Sequence, residues 1–99
     1  MKLDKAIQEY LNPSISGKFT IGSEIRKLRL EKKMQVNELA RLCGIAPVFL
    51  TQIEKHDKKC SDGKMLDILR VLFGKVEKDN YIFVVYMRKY YPDIYEVIK

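Results

Sequence analysis

Apolar positions recur at spacings of three and four along most of this chain, the period of a helix with one buried face. Leu3, Ala6, Ile7, Tyr10 and Leu11 make the first stripe, stopped by Asn12-Pro13. Residues 12–19, NPSISGKF, carry proline, glycine and serines and read as a connector. Ile21, Ile25 and Leu28 mark a second helix, with Thr20 as its N-cap. Leu39, Ala40 and Cys43 mark a third, and Leu50 with Ile53 a fourth. Met65, Ile68, Leu69 and Leu72 mark another, capped by Ser61 and closed by Gly74. Residues 81–87, YIFVVYM, have the β-branched and aromatic make-up of a buried strand. The elements before them are all helical, so a strand would have no partner. The pattern therefore predicts a helix from about Lys78 to Tyr90, buried on more than one side and broken by Pro92. A last short helix is expected from Asp93 to Ile98, and the chain as a whole is expected to be all-α.

The stretch from Val36 to Glu54, VNELARLCGIAPVFLTQIE, organises the rest. Gly44 stands where a helix must stop, because glycine takes a left-handed backbone cheaply. Ile45 follows as an apolar plug. Pro47 suits the first turn of a new helix, where its missing N–H costs nothing. Ala40 is small, as two steeply crossing helices require at their contact. Apolar, small, glycine and apolar residues at these offsets make a helix-turn-helix signature.

Charge sharpens this picture. Nineteen Lys and Arg stand against 13 Asp and Glu among 99 residues, a formal net charge of +6. The balance favours acidic partners, nucleic acid first and an anionic membrane surface second. A chain this long fits one domain with a modest core. Residues 55–64, KHDKKCSDGK, have no apolar run and read as an exposed basic loop. Arg26, Lys27, Arg29, Lys32 and Lys33 crowd the helix before the motif, where cations near a C-terminus are favoured by the helix dipole.

Other chemistry finds no support in the residues. No Ser/His/Asp or Cys/His set, phosphate-cradling glycine loop or metal spacing occurs, so neither enzyme, cofactor nor metal site is expected. Cys43 and Cys60 form no CxxC pair, and one histidine cannot complete a zinc cluster with them. Cys43 reads as a small buried hydrophobe, and a reduced cytoplasmic setting fits. No apolar run approaches the roughly 18 residues of a membrane span, and no membrane partner is expected. MKLDKAIQEYL lacks the apolar segment of a secretory signal.

IGSEIRKLRLEKKM, ELARLCGI, APVFLTQIEK and MLDILRVLF together resemble the Cro/C1-type (XRE) helix-turn-helix family of transcriptional regulators. The tail with YYPDIYEVI is similar to the C-terminal extension of some members. The resemblance implies a compact bundle of about five helices of the lambda-repressor-like type, with short N-terminal and C-terminal helical extensions. It also implies double-stranded DNA binding through the motif's second helix, commonly as a homodimer on a near-palindromic site. The domains expected are an N-terminal helix and connector at 1–19, the helix-turn-helix domain at 20–74, and a C-terminal helical extension at 75–99. That extension is aromatic beyond the needs of one small core, and a subunit interface would use the surplus. The N-terminal helix fits either packing on the domain or a dimer contact.

Carried over residue by residue, Arg29 and Glu54 match the family's buried ion pair. Gln52 occupies a base-reading position, where an amide can bond adenine bidentately. Thr51 lies beside it, and Pro47, Val48 and Phe49 occupy the helix start, with Val48 suited to a thymine methyl. Val36 stands where the family has a phosphate-contacting Gln, Gln35 and Ala46 stand at Ser/Thr cap positions, and His56 stands at a frequent Gly. Pro47, Val48, Thr51 and Gln52 are thus the expected base readers. Lys33, Gln35, Lys55, Lys58, Lys59 and Lys64 are the expected phosphate contacts.

Each of these features has a plainer reading. The lysines after the motif form either a solvated loop or a phosphate clamp, and their position and density favour the clamp. Lys32 and Lys33 fit dipole stabilisation and phosphate contact equally, and Phe49 fits partial burial and a groove role equally. His56 reads as a surface residue. The expected function is a sequence-specific DNA-binding regulator, a repressor. The rival is a helix-turn-helix module that docks a protein partner through Phe49 and the aromatic tail.

Overall fold

The computed structural model describes residues 20–93. Five helices follow one another: α1 Ile21–Glu31, α2 Val36–Cys43, α3 Pro47–His56, α4 Asp62–Phe73 and α5 Tyr81–Tyr90. The described residues contain no strand, so the β-branched run at 81–87 is helical. The helix and connector expected over 1–19, and the final helix expected beyond Asp93, lie outside the described residues. The chain divides into two compact units, one of Gly22–Val76 and one of Met1–Ile21 with Glu77–Lys99.

In the first unit α2 packs against both α3 and α4. Leu39 and Ala40 of α2, Leu50 of α3, and Ile68 and Leu69 of α4 are fully buried. The bare methyl of Ala40 lets the helices approach. Cys43 and Cys60 are buried and in no disulfide, and burial pushes both thiols upward in pKa, Cys43 to about 11. The negative charge of Asp67 adds to the shift at Cys43. Both are packing residues rather than nucleophiles.

The turn of the motif closes as glycine allows. Gly44 takes φ 69° and ψ 35°, and the Ile45 N–H reaches back to the Ala40 carbonyl at 3.0 Å. At the end of α1 the same device is built on Lys33, whose φ is 57°. There the Met34 N–H donates to the Arg29 carbonyl at 3.1 Å.

Three boundaries differ from the sequence pattern. The C-terminal helix starts at Tyr81, not Lys78, because the Asn80 carboxamide oxygen accepts from Ile82 N at 3.0 Å and Phe83 N at 3.2 Å. The segment 55–64 is not one exposed loop. Helix α3 runs through His56, α4 starts at Asp62, and Cys60 between them is buried. The left-handed residue that ends α3 is Asp57, φ 52°, so His56 does not stand at the glycine-like position. Ser61 caps α4 by accepting from Lys64 N, and Gly74 follows its last residue.

In the second unit, α5 buries Ile82, Val84, Val85 and Tyr86. These positions wrap more than one side of a helix. Tyr86 meets Tyr90 with ring centroids 5.0 Å apart. The Tyr91 N–H closes the helix on the Met87 carbonyl, and Pro92 follows.

Hydrogen bonds at both ends of α1 hold it to α3 and to Asp57, the residue after α3. The guanidinium of Arg29 donates from Nε to Glu54 Oε2 at 2.8 Å and from Nη2 to Oε1 at 3.0 Å. Its Nη1 donates to the Met34 carbonyl at 2.8 Å. At the other end of α1, Gly22 N–H donates to Asp57 Oδ1 at 2.9 Å. A β-carbon at Gly22 would run into the Ile53 carbonyl oxygen.

Two stability predictions result. Gly22→Ala should destabilise the fold by about 1–3 kcal/mol through forced backbone displacement. Gly63→Ala, with nothing within 4 Å of the added carbon, should be neutral or stabilising by up to about 1 kcal/mol. Urea melts of both variants decide it, and equal behaviour would refute the close approach. Arg29→Met should cost about 3–5 kcal/mol by leaving Glu54 buried and unpaired. Arg29→Met with Glu54→Leu should recover most of that loss. A single variant within about 1 kcal/mol of the parent protein would show the pair to be dispensable.

Candidate nucleic-acid interface

Helix α3 has two faces. Leu50, Ile53 and Glu54 are buried. Val48, Thr51, Gln52 and Lys55, at relative positions 0, 3, 4 and 7, share the opposite face. Val48 is 66% exposed, an apolar side chain standing in solvent. Thr51 and Gln52 are half-buried, and Pro47 and Lys55 are exposed. The four residues expected to read bases therefore belong to one helix, with Pro47 at its first turn.

The residues expected to hold phosphates surround this helix unevenly. Lys33 and Gln35 are exposed and precede α2. Gln35 is the N-cap residue of α2 and Ala46 that of α3, and neither makes a side-chain cap hydrogen bond. Glu38 in the first turn of α2 offsets its positive end, whereas the first turn of α3 holds no acidic residue. Lys55 follows Thr51 and Gln52 on α3. Lys59 lies 4.0 Å from Asp62 and donates to the Cys60 carbonyl at 3.3 Å. Lys64 is turned inward, its ammonium donating to the Cys43 carbonyl at 3.1 Å. In that position it caps the C-terminus of α2 as well as adding charge.

Lys58 behaves differently from its neighbours. Its Nζ donates to Gln52 Oε1 at 3.0 Å and lies 5.2 Å from the centre of the Phe49 ring. Phe49 is half-buried under this ammonium. Lys58, Gln52 and Phe49 form one cluster at the edge of the outward face of α3.

Sequence reasoning did not single out Gly22, Asp57 or the contact between Lys58 and Gln52. Aspartate is one of the few residues that tolerates a left-handed backbone, which is the signal Asp57 carried. Gly22 carried no local signal, because its need for a bare Cα comes from the Ile53 carbonyl, far away in sequence. Among the described residues no cluster of His, Cys, Asp or Glu is arranged to hold a metal ion. None of the described helices is long and apolar enough to cross a membrane.

The helix-turn-helix family model matches residues 25–78, more than half of the chain, from within α1 to beyond α4. Comparison with curated proteins and with solved structures finds no match. With the two-faced α3, its ion-paired anchor and that match together, the chain belongs to the Cro/C1-type helix-turn-helix family of DNA-binding regulators.

Proposed function

We propose that this protein is a sequence-specific repressor that binds double-stranded DNA as a homodimer and blocks a promoter by occupying it. The observation that carries this reading is the outer face of α3, where Val48, Thr51, Gln52 and Lys55 align opposite a fully buried face. A helix held from behind and presenting a mixed apolar and polar face suits the major groove. In this reading Gln52 and Thr51 bond base edges, Val48 packs on a thymine methyl, and Pro47 sets the approach of the helix start.

Lys33, Gln35, Lys55 and Lys59 hold phosphates around the groove, and Lys64 adds charge beside the motif turn. The start of α3, with no side-chain cap and no acidic residue in its first turn, favours the same partner, since a phosphate oxygen can supply the missing cap. The aromatic surplus of the 75–99 segment supports a subunit interface, and two-fold symmetry makes the target near-palindromic.

Selection of bound duplexes from a random pool, with affinity followed across salt, tests the reading. A palindromic site and a steep salt slope are expected. Gln52→Ala should relax discrimination at one position per half-site by about 1–3 kcal/mol, and Lys55→Ala should weaken all sequences alike and reduce the salt slope by about 1. Recovery of no preferred sequence would refute it. A salt-resistant protein complex lost in Phe49→Ala would then point to the docking alternative.

A further inference from the structure

We infer that Lys58 is a specificity-determining residue: it fixes the orientation of the Gln52 amide, so that the pair reads guanine rather than adenine. This rests on the DNA-reading role of α3 proposed above. An unrestrained glutamine presents both a donor and an acceptor, and pairs with adenine by accepting from N6 and donating to N7. Gln52 is restrained. A lysine ammonium has donors only, so the amide group facing it must be the carbonyl oxygen, as the 3.0 Å contact from Nζ to Oε1 requires. One lone pair of that oxygen is then taken, the amide keeps its N–H donors, and the ammonium sets further donors beside it, which disfavours adenine N6, itself a donor. Guanine presents two neighbouring acceptors, N7 and O6, on its major-groove edge. The Gln52 amide and the adjoining Lys58 ammonium supply two donors to match them.

The arrangement is anchored at several points. The Lys58 ammonium rests 5.2 Å from the centre of the Phe49 ring, an attraction of cation for aromatic face. The Lys58 backbone N–H also donates to the Gln52 main-chain carbonyl, at 3.4 Å. The chain returns over α3 because Asp57 takes a left-handed backbone, and Asp57 is itself tied to Gly22 N–H at 2.9 Å. Phe49 therefore has a use beside partial burial: its ring holds the cation that sets the amide.

The test begins with the half-site position at which Gln52→Ala loses discrimination. The parent protein should prefer guanine over adenine there by roughly tenfold. Lys58→Met keeps an unbranched stem over Phe49 and removes the ammonium. It should abolish that preference or reverse it toward adenine, and Lys58→Arg should retain guanine. Lys58 is exposed, and circular dichroism of the variants should match that of the parent protein. Adenine preferred by the parent protein, or a Lys58→Met variant weaker on every duplex with its base preference intact, would overturn the inference while leaving the DNA reading in place. Absence of any position sensitive to Gln52→Ala would remove Gln52 as a reader, and this inference with it.

Discussion

The guanidinium of Arg29 lies where three segments meet: the end of α1, the turn at Met34 and the end of α3. Both oxygens of Glu54 face it, so the carboxylate is matched by two parallel N–H donors in a buried setting. Taking both charges out of water is costly, and the geometry offsets that cost only while each keeps its partner. The pair therefore acts as a registration device. It permits one rotation of α3 about its own axis, the one that puts Glu54 inside with Leu50 and Ile53. Val48, Thr51, Gln52 and Lys55 are then forced outward together.

A second constraint acts at the opposite end of the α1–α3 contact. The backbone of α1 at Gly22 approaches the carbonyl of Ile53 so closely that no side chain fits between them. Asp57 ties the two together and, by turning left-handed, redirects the chain after α3. The reversal carries Lys58 back to Gln52 and Phe49. A packing requirement on one side of the helix thus reaches the chemistry presented on the other. The same economy occurs at Lys64, whose ammonium stabilises the exposed carbonyl end of α2 beside the motif turn.

Most of the architecture was legible in the order of residues. The stripes at 39–43, 50–53 and 65–72 predict α2, α3 and α4, and these helices are present. Gly44, Ser61 and Gly74 act where their backbone and side-chain chemistry says they should. The pattern gives the C-terminal helix but starts it three residues early, because Asn80 reads as an ordinary polar residue while its carboxamide in fact closes the first turn. The segment 55–64 reads as a loop because charge dominates its composition. Its organising residue is Cys60, a single buried side chain with no periodic companions.

The sequence by itself determined the helical class, the motif turn and which face of α3 is apolar, since periodicity and the conformational limits of Gly and Pro act over a few neighbouring residues. It also marks Gln52 as an expected base reader and Lys58 as an expected phosphate contact. Only the tertiary structure decided what those side chains present. The amide of Gln52 carries both a donor and an acceptor, and nothing in a linear chain says which is occupied. That choice is made by an ammonium brought back across a left-handed residue, whose own conformation is held by a helix distant in sequence. Local rules fix elements because their causes are local, whereas the hydrogen-bonding character of a reading face depends on which groups the fold has already paired.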